Sequence, residues 1–395
     1  MAIWRIEPRD PLVTGNGAAV PALVPRDAQL PFPGTVAGLI RSRFLGDPVG
    51  PVAAEDAREV VEQVSIRGLW LERDRDPGVG GGSRPWVPAP RDAAVVEGRE
   101  PLRRARVERL APGEGVHWPE GVQLLPVLLP ERDEASGQKL DSIVERAPFW
   151  PLEDAVRWAL GGTPALPEGE PLARSEHRVH VSIDPKTGTA APSLLFGSAG
   201  LRLGEGASIA VAVVSERHMP AEGAVLLGGE GRPSYLSIDE AGSPPPFAEF
   251  ERQYAEAAKS AQGLRLQLLT PGCFDESGWR PPEIQGLALR AALVPEMIAI
   301  SGWDYQLPGQ HGGPRSVRRL VPAGAVYYFE FAEGLSRDER LDLCRRTWFQ
   351  PLAPAGADPD ARRDEHWTEH RAPPEHDGYG LVLPGFWSFD SPQQF

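Results

Sequence analysis

Two residue types are nearly missing from this 395-residue chain: cysteine, with two, and lysine, with three (Lys139, Lys186 and Lys259). Cys273 and Cys344 alone cannot build a disulfide framework or a thiolate zinc site. No apolar run approaches the length of a membrane span, and the opening MAIWRIEPRD is charged by its fifth residue, with no apolar leader core. These absences predict a soluble cytoplasmic protein with no membrane partner. Positive charge is also in deficit, the formal net charge being −14, which excludes a generic polybasic nucleic-acid binder. What is abundant is glycine and proline, 43 of each, which argues against a helical bundle and for a loop-rich α+β or all-β protein. The length suffices for two or three domains. Because lysine is rare, almost all positive charge sits on arginine, whose planar fork suits phosphate and base edges. A GC-rich coding sequence would give the same total, so the positions of the arginines carry more information than their number.

Periodicity supplies an element map. Residues 2–7 read as a strand, and Pro33-Gly34-Thr35 opens a helix with Val36, Leu39, Ile40 and Phe44 on one face. A second helix is predicted over 53–64, a strand over 65–73, a glycine-rich hairpin tip at 78–83 and a returning strand in 86–92. An amphipathic helix is predicted over 149–160. In 177–190, Val179, Val181 and Ile183 alternate with Arg178, His180 and Ser182 before the turn Asp184-Pro185-Lys186-Thr187-Gly188. That is a hairpin with one apolar face. A buried-type strand follows at 207–215, then a glycine-rich segment at 226–238. Gly242-Ser243-Pro244-Pro245-Pro246 marks a linker, giving domains 1–240 and 241–395. Beyond it come a helix at 247–258, strands at 264–269, 296–303 and 319–331, and a Ser336/Glu339 capping box opening a helix through Trp348. Each half ends in a glycine-rich loop entering a strand, a weak repeat that two ferredoxin-like domains would explain.

The catalytic motifs are thin. His366-Trp367-Thr368-Glu369-His370 matches H-x-x-E-H, which places two imidazoles a helical turn apart with a carboxylate as general base. Pro373-Pro374 would stop any helix there, and His376 as a third ligand fits no zinc-protease spacing, so a charged surface loop explains the segment better. No phosphate-binding P-loop and no G-x-S-x-G elbow is present, and Gly378-x-Gly380 lacks the third glycine of a dinucleotide fingerprint. No enzyme signature survives and no cofactor is implied. Three basic clusters remain: Arg99 to Arg109, His177-Arg178-x-His180 on the hairpin, and Arg315 with Arg318 and Arg319. Any one is more often a solvated face. The last two have histidine or aromatic company (Trp303, Tyr305, His311), which suits single-stranded RNA, whose bases stack on aromatic and guanidinium planes.

Several segments, in order along the chain, carry a resemblance. Pro11-Leu12, Gly15-Asn16-Gly17 and Pro33-Gly34-Thr35-Val36-Ala37-Gly38 with Arg41 resemble the opening of a CRISPR family, the RAMP proteins that form the third Cmr subunit of type III-B effector complexes. Residues 177–196, 264–281, 300–304 and 318–331 are similar to later family segments. The resemblance implies an α+β chain of two ferredoxin-like (RRM-like, RAMP) domains with long loops and an inserted β-hairpin around 177–196, the candidate thumb. It implies a non-catalytic RNA-binding subunit that caps the 5′ handle of the CRISPR RNA in antiviral defence. It further implies docking to the large polymerase/cyclase subunit and a backbone RAMP subunit. The residues expected to meet RNA are Arg41, His177, Arg178, His180, Trp303, Arg315, Arg318, Arg319, Gly378 and Gly380. The competing reading is a metal-dependent endoribonuclease or hydrolase built on His366, His370 and His376.

Overall fold

The computed structural model describes residues 1–14, 30–48, 52–74, 82–96, 99–109, 124–128, 137, 139–143, 147–165, 171–228, 231–274, 278–304, 313–314, 317–352 and 376–389. Its fold is α+β, built on two antiparallel sheets.

The large sheet has seven strands, in the spatial order Gly223–Leu227, Arg232–Asp239, Ala2–Pro8, Ala207–Ser215, Val64–Asp74, Ser83–Pro88 and Phe149–Pro151. Its strands alternate between two faces, and a bulge between Ile66 and Gly68 reverses the parity within strand Val64–Asp74. Trp4, Ile6, Ile209, Val211 and Ile66 point to one side, where they bury Val36, Ala37 and Ile40 of helix Pro33–Phe44 and Val60 of helix Ala54–Gln63. Ile3, Trp70, Ala210 and Ala212 point to the other side and enter a core shared with the second half of the chain.

The small sheet has the order Leu287–Leu293, Val326–Phe331, Gly263–Leu268, Val382–Trp387. Leu264, Leu266, Tyr327, Phe329 and Phe386 face Tyr254 of helix Glu251–Ala257 and Leu343 and Cys344 of helix Arg337–Thr347. The opposite face, carrying Val326, Tyr328 and Trp387, is covered by first-half residues: Val107, Leu125 and Val127 pack there. Taking its four central strands, 2–8, 64–74, 207–215 and 232–239, the large sheet reads 4-1-3-2 in chain order. The small sheet reads the same.

The halves are joined by packing and by charge. Phe349 meets Trp70 edge-on at 5.5 Å between ring centroids. Asp92, wholly buried, accepts from Arg265 Nε and Nη2, Trp158 Nε1 and Tyr328 Oη, each at 2.8 Å. Burial alone would raise the Asp92 pKa; the adjoining Arg265 guanidinium, with Arg104 further off, brings it down to about 2.

Several elements depart from the sequence expectations. The helix expected over 149–160 begins only at Leu152, because residues 149–151 pair with strand 83–88 as a sheet edge and Pro151 is the N-cap. The strand expected over 319–331 splits at Pro322–Gly324, where Gly324 has φ +87° and an added Cβ would lie 2.6 Å from the Ala89 carbonyl. The expected linker is anchored: the Pro245 carbonyl accepts from Trp348 Nε1 at 2.6 Å. The Ser336/Glu339 capping box forms as expected.

Candidate nucleic-acid interface

Three segments distant in sequence meet around Tyr379. Phe32, at the start of helix Pro33–Phe44, packs with Tyr379 and Leu320, and Ile298 and Ile300 complete the cluster. Strand Arg318–Leu320 pairs with Ile298–Ile300, which sets Arg318 opposite Ile300 and Arg319 opposite Ala299. The Gly34 backbone N–H donates to Tyr379 Oη at 3.4 Å, and a Cβ at Gly34 would lie 3.1 Å from that oxygen. Glycine therefore allows the helix start to sit on the phenol. Burial and the charge of Asp377 push the Tyr379 pKa up to about 12, against the smaller opposing effects of the Gly34 N–H and Arg318. The phenol is neutral at physiological pH.

Arg318 is half-buried and Arg319 exposed, and neither forms an ion pair among the described residues. They are cations held on a strand beside an aromatic cluster, a combination able to bind phosphate. Arg41 is placed differently. Its side chain is 12% exposed and pairs with Asp377 Oδ1 at 2.5 Å, while its remaining hydrogen bonds go to the Val64 and His376 carbonyls. Gly378 and Gly380 have φ +87° and +75°, are buried, and serve the packing of the loop: the Gly378 carbonyl accepts from Thr270 Oγ1, and the Gly380 N–H donates to the Pro271 carbonyl. Trp303 begins a short strand opposite Pro314. Arg315, Tyr305, His311, His366 and His370 lie outside the described residues. His376 contributes a backbone carbonyl to Arg41, and among the described residues no His, Cys, Asp and Glu group is arranged to hold a metal.

His177, Arg178 and His180 lie on a two-stranded ribbon, Ala173–Ile183 with Ala190–Leu203, longer than the expected 177–196 hairpin. Its base is fixed where Leu12 and Leu201 exchange two backbone hydrogen bonds. From there about ten residues run outward, a reach of roughly 30 Å at 3.3 Å per residue. Its apolar face is not buried: Val179, Val181 and Ile183 are 79%, 43% and 55% exposed, because a ribbon that leaves the sheet has no second layer to pack on. On the alternate face Glu176 holds Arg178 and Arg202, and hydrogen bonds from both lower its pKa to about 2. Arg178 is thus aligned with Arg202 rather than extended alone.

Tyr379 and Asp377 anchor this cluster, and neither stands out in the sequence as an RNA-site residue. Their sole sequence signal is position: both lie in the glycine-punctuated segment, where the glycines draw attention to the backbone.

A family model described as "CRISPR-associated protein (Cas_Cmr3)" matches residues 4–387. The chain belongs to that family. As a Cmr3-family protein it is a non-catalytic, RNA-binding RAMP subunit of a type III CRISPR effector complex. No curated protein matches it. Among solved structures, a chain of the type III-B Cmr-beta complex bound to cognate target RNA and AMPPnP is similar at TM-score 0.46 and 14% identity, over 82% of this chain and 86% of that one. A Cmr-beta structure bound to cognate target RNA gives 0.44 and 12%, over the same shares. A chain of the Csm3–Csm4 subcomplex of the type III-A interference complex gives 0.35 and 11%, over 84% and 94%.

Proposed function

We propose that this Cmr3-family subunit caps the 5′ handle of the CRISPR RNA at the seam around Tyr379, with Arg318 and Arg319 on phosphates and the 173–203 ribbon as a thumb at the first guide nucleotides. The observation that carries the reading is the convergence of helix start 32–34, strand 318–320 and loop 376–380, with two cations that lack ion pairs among the described residues. His177, Arg178 and His180 lie on the ribbon's outward stretch, where exposed valines and isoleucine provide apolar surface for unstacked bases. The shared 4-1-3-2 strand order supports reading residues 1–240 and 241–395 as two ferredoxin-like domains. Docking partners in this reading are the large polymerase/cyclase subunit and a backbone RAMP subunit.

The test is a filter-binding titration of handle RNA across salt concentrations. Arg318→Glu with Arg319→Glu should weaken binding at least roughly tenfold and flatten the log K against log salt slope by about 2, one for each phosphate no longer neutralised. Unchanged affinity and slope would remove the seam from the interface.

A further inference from the structure

Arg41 lies in the opening motif that resembles the family, yet its guanidinium faces inward. Nη1 donates to Asp377 Oδ1 at 2.5 Å, Nη2 to the His376 carbonyl at 3.1 Å, and Nε and Nη2 to the Val64 carbonyl at 3.3 and 3.2 Å. One planar fork therefore ties three elements together: helix 33–44, the first residue of strand 64–74, and loop 376–380. Two residues beyond Asp377, Tyr379 supplies the oxygen on which Gly34 rests and the ring against which Leu320 packs. Leu320 ends the strand that carries Arg318 and Arg319. The path from Arg41 to those cations is contiguous: ion pair, tight turn, aromatic ring, strand.

We propose that Arg41 is a positioning residue for RNA binding, holding loop 376–380 so that Tyr379 fixes the helix start and strand 318–320 in register, without itself touching RNA. The proposal rests on the seam being the RNA site. Its chemistry requires arginine: the three acceptors are met by three different nitrogens of the fork, which the single nitrogen of a lysine ammonium does not reproduce. The other two roles open to Arg41 are a direct phosphate contact and a contribution to fold stability alone.

Handle-RNA titrations across salt separate these roles in folded protein, with the active fraction fixed by stoichiometric titration and circular dichroism. Arg41→Met should raise Kd roughly 3- to 30-fold, the range for changes along a packed network, and leave the salt slope unchanged. Arg41→Lys should behave like Arg41→Met. Recovery of affinity by lysine, or a slope lowered by about 1, would assign a phosphate contact and overturn the proposal. Asp377→Asn is the sharper variant. It removes a negative charge near the site, so electrostatics alone predicts tighter binding, whereas loss of positioning predicts weaker binding with the same slope. Unchanged Kd in both Arg41→Met and Asp377→Asn, with only thermal stability lowered, would assign a role in the fold alone. If Arg318→Glu with Arg319→Glu also fails to move binding, the seam itself is wrong. If that pair abolishes binding while the Arg41 and Asp377 variants do not weaken it, only the positioning role is refuted.

Discussion

Asp92→Asn should separate the two sheets energetically. The carboxylate accepts four hydrogen bonds, two of them from an Arg265 side chain that is only 2% exposed. Replacing it by an amide leaves that guanidinium buried without its counter-charge, and turns one acceptor oxygen into a donor facing Arg265 together with Trp158 or Tyr328. Breaking a buried pair from one side typically destabilises by about 3–5 kcal/mol. An independent bound comes from the depressed pKa of Asp92. A carboxylate held at about 2 instead of 3.8 contributes on the order of 2 kcal/mol at neutral pH. The mutational loss exceeds this because the hydrogen bonds go as well, so about 4 kcal/mol is expected. The sign is that of a depressed acid: the contribution is complete above pH 4 and disappears as pH falls from there towards 2. Urea unfolding read by tryptophan fluorescence suits the measurement, since Trp158 donates to Asp92 directly. Adding Arg265→Met removes the stranded charge and should restore part of the stability, although the Tyr328 and Trp158 donors still lack a full acceptor. A single-variant loss below about 1 kcal/mol, or strictly additive single variants, would refute an ion pair of this weight.

Other outcomes are equally direct. Gly385→Ala should destabilise the fold by roughly 1–3 kcal/mol or more in urea, because its Cβ would lie 2.4 Å from the Ala159 carbonyl in the joint between strand 382–387 and helix 152–159. Val179→Asp with Val181→Asp should leave urea stability within about 0.5 kcal/mol, since both side chains are already exposed, while weakening handle-RNA binding in gel shift. Ser336→Ala should lower stability by about 1 kcal/mol through removal of the cap on helix 337–347. Glu176, hydrogen-bonded by two arginines, should remain ionised in carboxyl NMR titration until pH approaches about 2.

Much of this architecture is legible in local pattern. The helix at Pro33, the strand at 64–74 and the capping box at Ser336 follow from periodicity and cap chemistry that neighbouring residues decide among themselves. Strand Leu287–Leu293 escapes such reading because LALRAAL has neither β-branched residues nor alternation. It is a strand because Val326–Phe331 offers it an edge. The hairpin is readable but its environment is not: alternation of valine with arginine signals a half-buried strand, and nothing in the residues shows that the ribbon departs from the sheet. The same limit applies to the interface. Arg318 and Arg319 stand out as a cluster, whereas the inward turn of Arg41 depends on Asp377, a partner 336 positions away.

That separation has a consequence for the order in which the molecule can be made. Strand 2–8 pairs with 207–215 and 232–239, so the first strand waits for more than half the chain to emerge from the ribosome. Helix 33–44 waits longer still, because its arginine and the oxygen on which Gly34 rests are both met by residues 376–379. A nascent or prematurely ended chain lacking that loop also lacks strand 382–387, so it completes neither the small sheet nor the seam. In the proposed reading, RNA capture at this surface is thereby tied to synthesis of residues 376–387.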